Sequence, residues 1–283
     1  MLVIILTNCL LELRMMKDSG REKLSDKKFD SPVIKEKFIN KLFERLVALK
    51  VEFKNVDFCY SIFDAAYIRN CSFEDCNFTG CRFVNCNLAG SSFNGCKFDY
   101  ATFDKTHIDN DILEVGCPGH ENLKLKFARS LRLNYQQIGD AKSANKAINI
   151  ELQATEDHLH KAWKSKESYY RKKYKGINRL KMFGEWVEFK LLDSIWGNGE
   201  STWKLCRTVL VALLIITGVH AVGFDDTTLI KSYSEALFIS PQVFLGVLEP
   251  SSYPKLYLTA ILLVRLIMFG FFMSIIIKRF NRR

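Results

Sequence analysis

The sequence predicts a β-solenoid with square coils, followed by a helical connector and two membrane-crossing helices. A five-residue period runs without a break from Val51 to Ile108. A dense basic run lies between residues 161 and 181, and two long apolar segments lie near the C-terminus. The 283 residues leave room for about two domains, and the net charge of +10 is carried mainly outside the mildly acidic repeats.

Each five-residue unit has a large apolar residue at its centre and a compact residue two positions earlier. The twelve centres are Phe53, Phe58, Phe63, Ile68, Phe73, Phe78, Phe83, Leu88, Phe93, Phe98, Phe103 and Ile108. The compact residues are Val51, Val56, Ser61, Ala66, Cys71, Cys76, Cys81, Cys86, Ser91, Cys96, Ala101 and Thr106. Every fourth centre is aliphatic and the other nine are Phe, so the true repeat is twenty residues. Four units in each coil would stack identical positions, which predicts three coils.

This pattern resembles the pentapeptide-repeat family. The resemblance implies an all-β, right-handed quadrilateral β-helix over residues 51–110, in which both the central and the compact residue of each unit point inward. Phe78 should then stack between Phe58 and Phe98. The family also contains DNA-mimicking gyrase inhibitors, but that role needs a long acidic rod. Of the functions considered, this role is the least suited to three short coils attached to a membrane segment, so no nucleic-acid partner is expected.

The cysteines favour packing over metal binding. Five of the nine, Cys71, Cys76, Cys81, Cys86 and Cys96, occupy the compact inward position, where a free thiol behaves as a small hydrophobe. Their spacing of five lacks the short pairs of a zinc site, so we expect neither metal nor cofactor. So many unpaired thiols favour a reducing compartment. No catalytic motif is present, because Glu156 and His160 at i, i+4 have no third partner, and no enzymatic activity is expected.

The first fifty residues predict a flexible N-terminus and a capping helix. Residues 1–30 begin with an apolar run too short to cross a membrane, and Met15 or Met16 could be the natural start. Residues 31–50 are predicted to form a helix that covers the open end of the first coil. The helix-spaced apolar positions in this segment are Val33, Phe38, Leu42, Leu46 and Leu49.

Residues 120–200 predict a helical connector. The stretch from Leu123 to Tyr135, stopped at Gly139, favours one helix, and residues 141–170 favour a second. Residues 182–196 are rich in apolar side chains. This segment either lies flat at a membrane surface or packs on a neighbouring helix, and the sequence leaves both possibilities open.

Two apolar segments within residues 205–277 predict membrane spans. The first, 208–224, holds seventeen residues without a formal charge, and the second, 256–277, holds twenty-two with Arg265 as its single charge. About 20 residues suffice to cross a bilayer. Cations crowd before the first span and in the basic tail at 278–283, so the positive-inside rule places both termini in the cytoplasm.

The segment between the spans is apolar but too short to cross, which predicts a re-entrant or interfacial helix broken at Pro241 and Gly246. The order of span, short apolar dip and span resembles the two-helix pore module of the potassium-channel superfamily. It also resembles the membrane tail that follows pentapeptide repeats in some bacterial proteins. The resemblance implies a homo-oligomer, favouring four subunits, in a bacterial inner membrane. The residues at the place of a filter are Ser240, Pro241, Gln242, Val243 and Phe244; no T-x-G-Y-G occurs there, so potassium selectivity is not implied.

Three functions therefore compete. The first is an oligomeric, ion-channel-like pore whose cytoplasmic solenoid binds an unknown protein or ligand, with depolarisation of phage-infected bacteria as a fitting role. The second is a membrane-anchored scaffold that binds proteins and does not conduct, and the third is a gyrase-interacting protein. Arg265 lies near the bilayer midplane and should contact carbonyls of the re-entrant segment or a hydrated pore, although a long side chain can also snorkel to the interface.

Overall fold

The computed structural model describes residues 20–224 and 230–280. The chain divides into two compact units, Met1–Lys161 and Ala162–Arg283. The proposed start at Met15 or Met16, most of the predicted flexible N-terminus and the last three residues of the basic tail lie outside the described residues.

The first unit is built on a β-solenoid of about four turns. The strands in its described part are β1 (Glu22–Ser25), β2 (Lys28–Phe29), β3 (Val33–Ile34), β4 (Lys41–Glu44), β5 (Val47–Leu49), β6 (Glu52–Lys54), β7 (Ile62–Asp64), β8 (Tyr67–Arg69), β9 (Ser72–Glu74), β10 (Arg82–Val84), β11 (Ser92–Asn94) and β12 (Thr102–Asp104). They pair in parallel in the orders β1-β4-β7-β10-β12, β11-β9-β6-β3 and β2-β5-β8. Bridges such as Asp57 to Asn77 form the fourth side. Phe63 pairs with Phe83 and Phe83 with Phe103, which confirms the twenty-residue repeat.

The interior is filled by the columns that the sequence predicts. The ring centroid of Phe78 lies 5.2 Å from that of Phe58 and 5.0 Å from that of Phe98, and the rings are nearly parallel. All twelve predicted central residues and all twelve compact residues are buried. Stacked rings and small side chains therefore fill alternate inward positions, which gives the solenoid a continuous apolar core.

The residue two positions after each centre, except the last centre Ile108, turns the chain at a corner of the coil. These eleven residues have left-handed backbone conformations, such as Asn85 with φ of 52° and Gly90 with φ of 74°. Glycine adopts this region freely, and Asn and Asp adopt it more readily than other residues because their short polar side chains bond locally. The recurrence of Asn, Asp and Gly at this position of the repeat follows from that requirement.

The predicted capping helix over residues 31–50 is wrong, because this segment forms β3, β4 and β5 of a further coil. Three coils are therefore too few, and the described part of residues 1–30 already contributes β1 and β2. Two departures from the repeat hid this coil. Glu36 and Lys41 occupy the position that is compact elsewhere, and Leu24 pairs with Phe43 at a separation of nineteen rather than twenty. Among the apolar positions whose spacing suggested a helix, Leu46 points into the solenoid, whereas Leu42 and Leu49 point outward.

Three helices complete this part of the chain: α1 (Ile112–Val115), α2 (Glu121–Gln137) and α3 (Ala141–Lys164). The predicted connector helices are thus confirmed, and α2 covers the exposed edge of the last coil. The buried Asn134 side chain accepts a hydrogen bond from the Thr106 amide and donates one to the Thr106 carbonyl, both at 2.7 Å. Ser130 Oγ accepts a hydrogen bond from the Phe103 amide at 2.9 Å. Asn134 therefore imitates the backbone of a next strand, which satisfies an edge that would otherwise remain open.

Replacing Asn134 by Leu should destabilise the unit by about 2 to 4 kcal/mol, because the buried Thr106 amide and carbonyl would both lose their partners. Urea unfolding of a fragment comprising residues 20–161 measures this change. The matched control is Gln137→Ala, since Gln137 bonds the exposed Lys105 amide, which water can satisfy. Equal losses in the two variants would show that Asn134 has no special capping role.

The second unit is helical: α4 (Ser168–Lys173), α5 (Ile177–Trp196), a 3-10 turn (Gly197–Gly199), α6 (Thr202–Phe224), α7 (Ile230–Leu245) and α8 (Lys255–Phe280). By length and composition, α6 and α8 could each cross a membrane, with mean hydropathies of 2.1 and 2.6 over their most apolar stretches. Their side chains are largely exposed in a single chain, unlike those of a core helix in a soluble protein.

The predicted break at Pro241 is wrong, because α7 continues through Pro241 and ends at Leu245. Proline lacks the amide that would bond the carbonyl four residues earlier. Here the hydroxyl of Ser240 donates to that carbonyl, on Leu237, at 3.2 Å. The side chain thus replaces the missing backbone donor and the helix persists. The re-entrant placement of α7 stays a prediction.

Candidate functional site

Helix α7 packs on α6 through a buried polar pair. The hydroxyl of Thr217 donates to Ser240 Oγ at 3.0 Å, and Ser240 is 1% exposed. An apolar cluster surrounds the contact. Its buried members are Ile216, Val243, Phe244, Tyr253 and Ile261. This packing fixes the position of α7 against the first candidate membrane helix.

The predicted filter-position residues are therefore divided between the inside and the outside of one chain. Ser240, Val243 and Phe244 are buried against α6, whereas Pro241 is half-buried and Gln242 is exposed. A residue that packs inside one subunit cannot also line a central path between subunits. Gln242 is thus the one exposed residue of these five, and its side-chain amide donates to the Phe238 carbonyl of the same helix at 3.2 Å.

Arg265 lies beside Gly246, immediately after the C-terminal end of α7. A Cβ atom added to Gly246 would overlap the Arg265 guanidinium, and Gly246 has φ of 76°, so glycine is required there for both reasons. The last carbonyls of a helix carry partial negative charge, which favours a nearby cation. The sequence predicted that Arg265 meets residues 240–244; the structure places it at the next residues, where α7 ends.

A cavity of about 450 Å³ extends from this point. Its polar lining includes Glu249, Ser251, Lys255 and Arg265, while Val243, Leu258, Ile261 and Leu262 contribute apolar side chains. Glu249 and Lys255 were not singled out from the sequence, because charges are expected wherever a span leaves the bilayer. Arg265 is the eleventh residue of α8 and so lies about 15 Å from its start. The cavity thus connects Arg265, deep along α8, with Glu249 and Lys255 near the N-terminal end of that helix.

The inward thiols of the solenoid act as hydrogen-bond donors. Cys81 Sγ donates to the Phe58 carbonyl at 2.9 Å and Cys86 Sγ to the Phe63 carbonyl at 3.2 Å. Burial raises the pKa of Cys86 to about 11, and it raises the pKa of Cys81 as well. Protonated, buried thiols are poor nucleophiles and poor metal ligands, so these residues are structural. In the described ranges, His, Cys, Asp and Glu form no group of three suited to a metal ion.

The raised thiol pKa predicts a loss of stability in alkali. Between pH 9 and 11 the native Cys86 thiol keeps its proton, whereas the unfolded thiol, with an ordinary pKa of 9.0, releases it. Unfolding then releases protons, so the free energy of unfolding should fall by about 1.4 kcal/mol per pH unit for this thiol. Urea unfolding of the 20–161 fragment should show a shallower slope for Cys86→Ala. Ser91→Ala, at an equivalent inward position, should leave the slope unchanged; an identical slope in Cys86→Ala would contradict the assignment.

Comparisons with known proteins concern the solenoid. The family model for the pentapeptide repeat region matches residues 49–116. Among solved structures, QnrB1, a plasmid-mediated fluoroquinolone resistance protein, is 15% identical, with coverage of 31% of this chain and 73% of that chain and a TM-score of 0.13. A pentapeptide repeat protein from the thylakoid lumen of Arabidopsis thaliana is 20% identical, with coverage of 33% and 77% and a TM-score of 0.11. A search of curated proteins finds no match.

The family match begins two residues before the unbroken five-residue period and ends after the last coil. It agrees with the stacked Phe columns, the parallel square coils and the twenty-residue register. The connector, α6, α7 and α8 lie beyond it. Residues 49–116 of this chain therefore match a pentapeptide repeat region, and the part up to residue 108 folds as the central and C-terminal coils of a β-solenoid.

Proposed function

We propose that this protein is an oligomeric membrane pore, resembling an ion channel, with its pentapeptide-repeat solenoid as a cytoplasmic partner-binding domain. In this proposal α6 and α8 cross a bacterial inner membrane, α7 is re-entrant, and four copies surround the path. The observation that carries the proposal is the position of Arg265, deep along α8, against the end of α7 and on a cavity with other charged groups.

A charge near the bilayer midplane is costly in contact with lipid tails, so it faces protein or water. Arg265 meets this condition through the α7 end and the cavity that also includes Glu249 and Lys255. The face of α8 that carries Arg265 is therefore suited to a hydrated surface. Ions cross a membrane protein along a hydrated surface of this kind, so the Arg265 face is suited to line a permeation path.

The exposure of α8 supports an oligomer. Of the described residues of this helix, Ile261 and Ile275 are buried, and most of the others are at least partly exposed in one chain. Lipid can cover the outward side of such a helix, but the cavity that borders Arg265 requires a polar or hydrated cover. Further copies arranged around α8 would supply it.

A non-conducting scaffold is the second candidate, and the solenoid surface is compatible with it. Large apolar or aromatic side chains stand at outward positions, including Ile34 and Leu49, each 53% exposed, and Tyr60 and Tyr100, at 57% and 58%. Exposed apolar side chains of this kind are available for contact with another protein. They suit a partner-binding domain whether or not the membrane helices conduct.

Reconstitution of the purified full chain into liposomes, combined with its oligomeric mass in detergent, separates the two candidates. We expect an oligomer that releases both sodium and potassium at similar rates, because the potassium filter sequence is missing. A strict monomer without flux would overturn the pore and leave the scaffold. Opening such a pore would collapse the membrane potential, which suits an effector that disables phage-infected bacteria.

A further inference from the structure

Helix α5 is unusually apolar for a helix with no buried residue. Eleven of its twenty residues are Ile, Leu, Met, Phe, Trp or Val. None of the residues of α5, all of which the structure describes, is buried. A soluble helix of this composition would normally bury one face, so α5 requires a cover that a single chain does not provide.

Exposed and half-buried apolar side chains form one stripe along α5. Ile177, Leu180, Phe183, Val187 and Leu191 follow one another at intervals of three or four residues, which places them on the same side of the helix. Ile177 is 81% exposed, Leu180 70% and Leu191 58%. One edge of the stripe is attached, because the Trp163 ring lies 5.0 Å from that of Phe183 and 5.4 Å from that of Trp186. The remaining part of the stripe, Ile177, Leu180 and Leu191, is uncovered in a single chain.

The C-terminal end of α5 is tied to both candidate membrane helices. Asp193 forms an ion pair with Lys204 at 2.7 Å, and the Thr208 hydroxyl donates to the Ile195 carbonyl at 2.8 Å. The Trp196 ring stacks on Phe271 of α8 with centroids 4.3 Å apart. These contacts hold the helix at the level where α6 begins and α8 approaches its end. Trp196 and the cation of Lys278, 5.5 Å from its ring, are side chains typical of a membrane interface.

The segment before and at the start of α5 is strongly basic. Exposed cations between residues 164 and 181 are Lys164, Lys166, Lys172, Lys173, Lys175, Arg179 and Lys181. Glu167 is the one acid in the same stretch. Arg179 Nε donates to the Trp163 carbonyl at 2.6 Å, which holds this basic stretch against α5. A second copy of the same surface would bring like charges together, whereas an anionic lipid surface would attract them.

We propose that α5 lies in the cytoplasmic membrane interface and binds anionic lipids, with its apolar stripe in the acyl region and the 164–181 cations on the headgroups. Lipid is the occupant that satisfies both the apolar stripe and the cations at once. Such binding requires α6 and α8 to cross a bilayer, as proposed above, but it does not require a conducting pore.

Hydrogen exchange of the full chain in lipid nanodiscs tests this. We expect the amides of residues 177–191 to exchange at least several-fold more slowly in discs that contain phosphatidylglycerol than in discs of phosphatidylcholine alone. The combined variant K172Q/K173Q/K175Q/K181Q should lose this difference. Leu180→Glu, which places a charge in the stripe, should lose protection in both kinds of disc.

The matched control is K35Q/K37Q/K50Q/K97Q, which removes the same charge from exposed positions of the solenoid and should keep the lipid difference. Equal exchange in the two kinds of disc would overturn the recognition of anionic lipid. Protection that occurs only in discs with more than one copy would instead assign the stripe to an interface between chains. Flux measured on the same samples reports separately on the pore, because exchange at α5 can be normal in a protein that does not conduct.

Discussion

Phe78→Asp is expected to unfold the solenoid, with a loss of at least about 4 kcal/mol in the free energy of unfolding. The substitution removes a ring stacked between Phe58 and Phe98 and leaves a carboxyl group in an apolar column. The lost packing alone accounts for about 3 to 5 kcal/mol, and an unpaired buried carboxyl adds to it. Urea unfolding of the 20–161 fragment, followed by circular dichroism, measures the change.

Arg82→Ala is the control for Phe78→Asp, because Arg82 is exposed on β10 in the same coil. It should change the free energy of unfolding by no more than about 0.5 kcal/mol. Corner residues such as Asp75 and Asn85 are unsuitable controls, since their positive φ makes alanine costly there. A Phe78→Asp fragment as stable as the Arg82→Ala fragment would contradict the inward register.

Arg265→Leu is expected to insert normally but to lower ion flux by about ten-fold or more, because it removes the charge that keeps the face of α8 hydrated. The variant makes α8 more apolar, so membrane insertion itself should not suffer. Gly246→Ala should act in the same direction by displacing the guanidinium. Proteoliposome flux and oligomeric mass measure the two effects.

Gly218→Ala is the control for Gly246→Ala, since Gly218 lies within α6 and an added Cβ would meet no neighbouring atom within 4 Å. It should conduct and assemble like the parent protein. Normal flux and normal assembly in both Arg265→Leu and Gly246→Ala would show that this pair has no part in permeation. Loss of assembly without a flux change in the remaining oligomer would make it a subunit contact only.

The middle coils were predictable because each five-residue unit obeys two constraints at once: a large residue at its centre and a compact residue two positions before it. The first coil was not, because Glu36 and Lys41 stand at compact positions and one unit is a residue short. Local apolar spacing then favoured a helix. Strand pairing with the next coil, visible only in three dimensions, overrides that local preference.

The cap that the structure shows, α2 at the C-terminal end of the repeats, was not predicted from the sequence. The sequence shows Asn134 as an ordinary polar residue of a helix, and nothing local marks it as a partner of Thr106, 28 positions away. The same limit applies to the membrane segment. Arg265 was recognised because a charge in an apolar span is conspicuous, whereas its contact with Gly246 depends on how α7 ends. At Pro241, the Ser240 hydroxyl supplies to the Leu237 carbonyl the hydrogen bond that proline cannot, and this contact is visible only in the structure.

The square coil also limits how the length of this domain can vary in evolution. Removal or duplication of twenty residues returns the chain to the same corner, so Thr106 and its edge would meet α2 in the same orientation. Removal of five residues would rotate the exit of the chain by a quarter turn and present a different side of the solenoid to Asn134. Gene variants with whole coils gained or lost should therefore keep the junction with α2, while variants that differ by one unit must rebuild it.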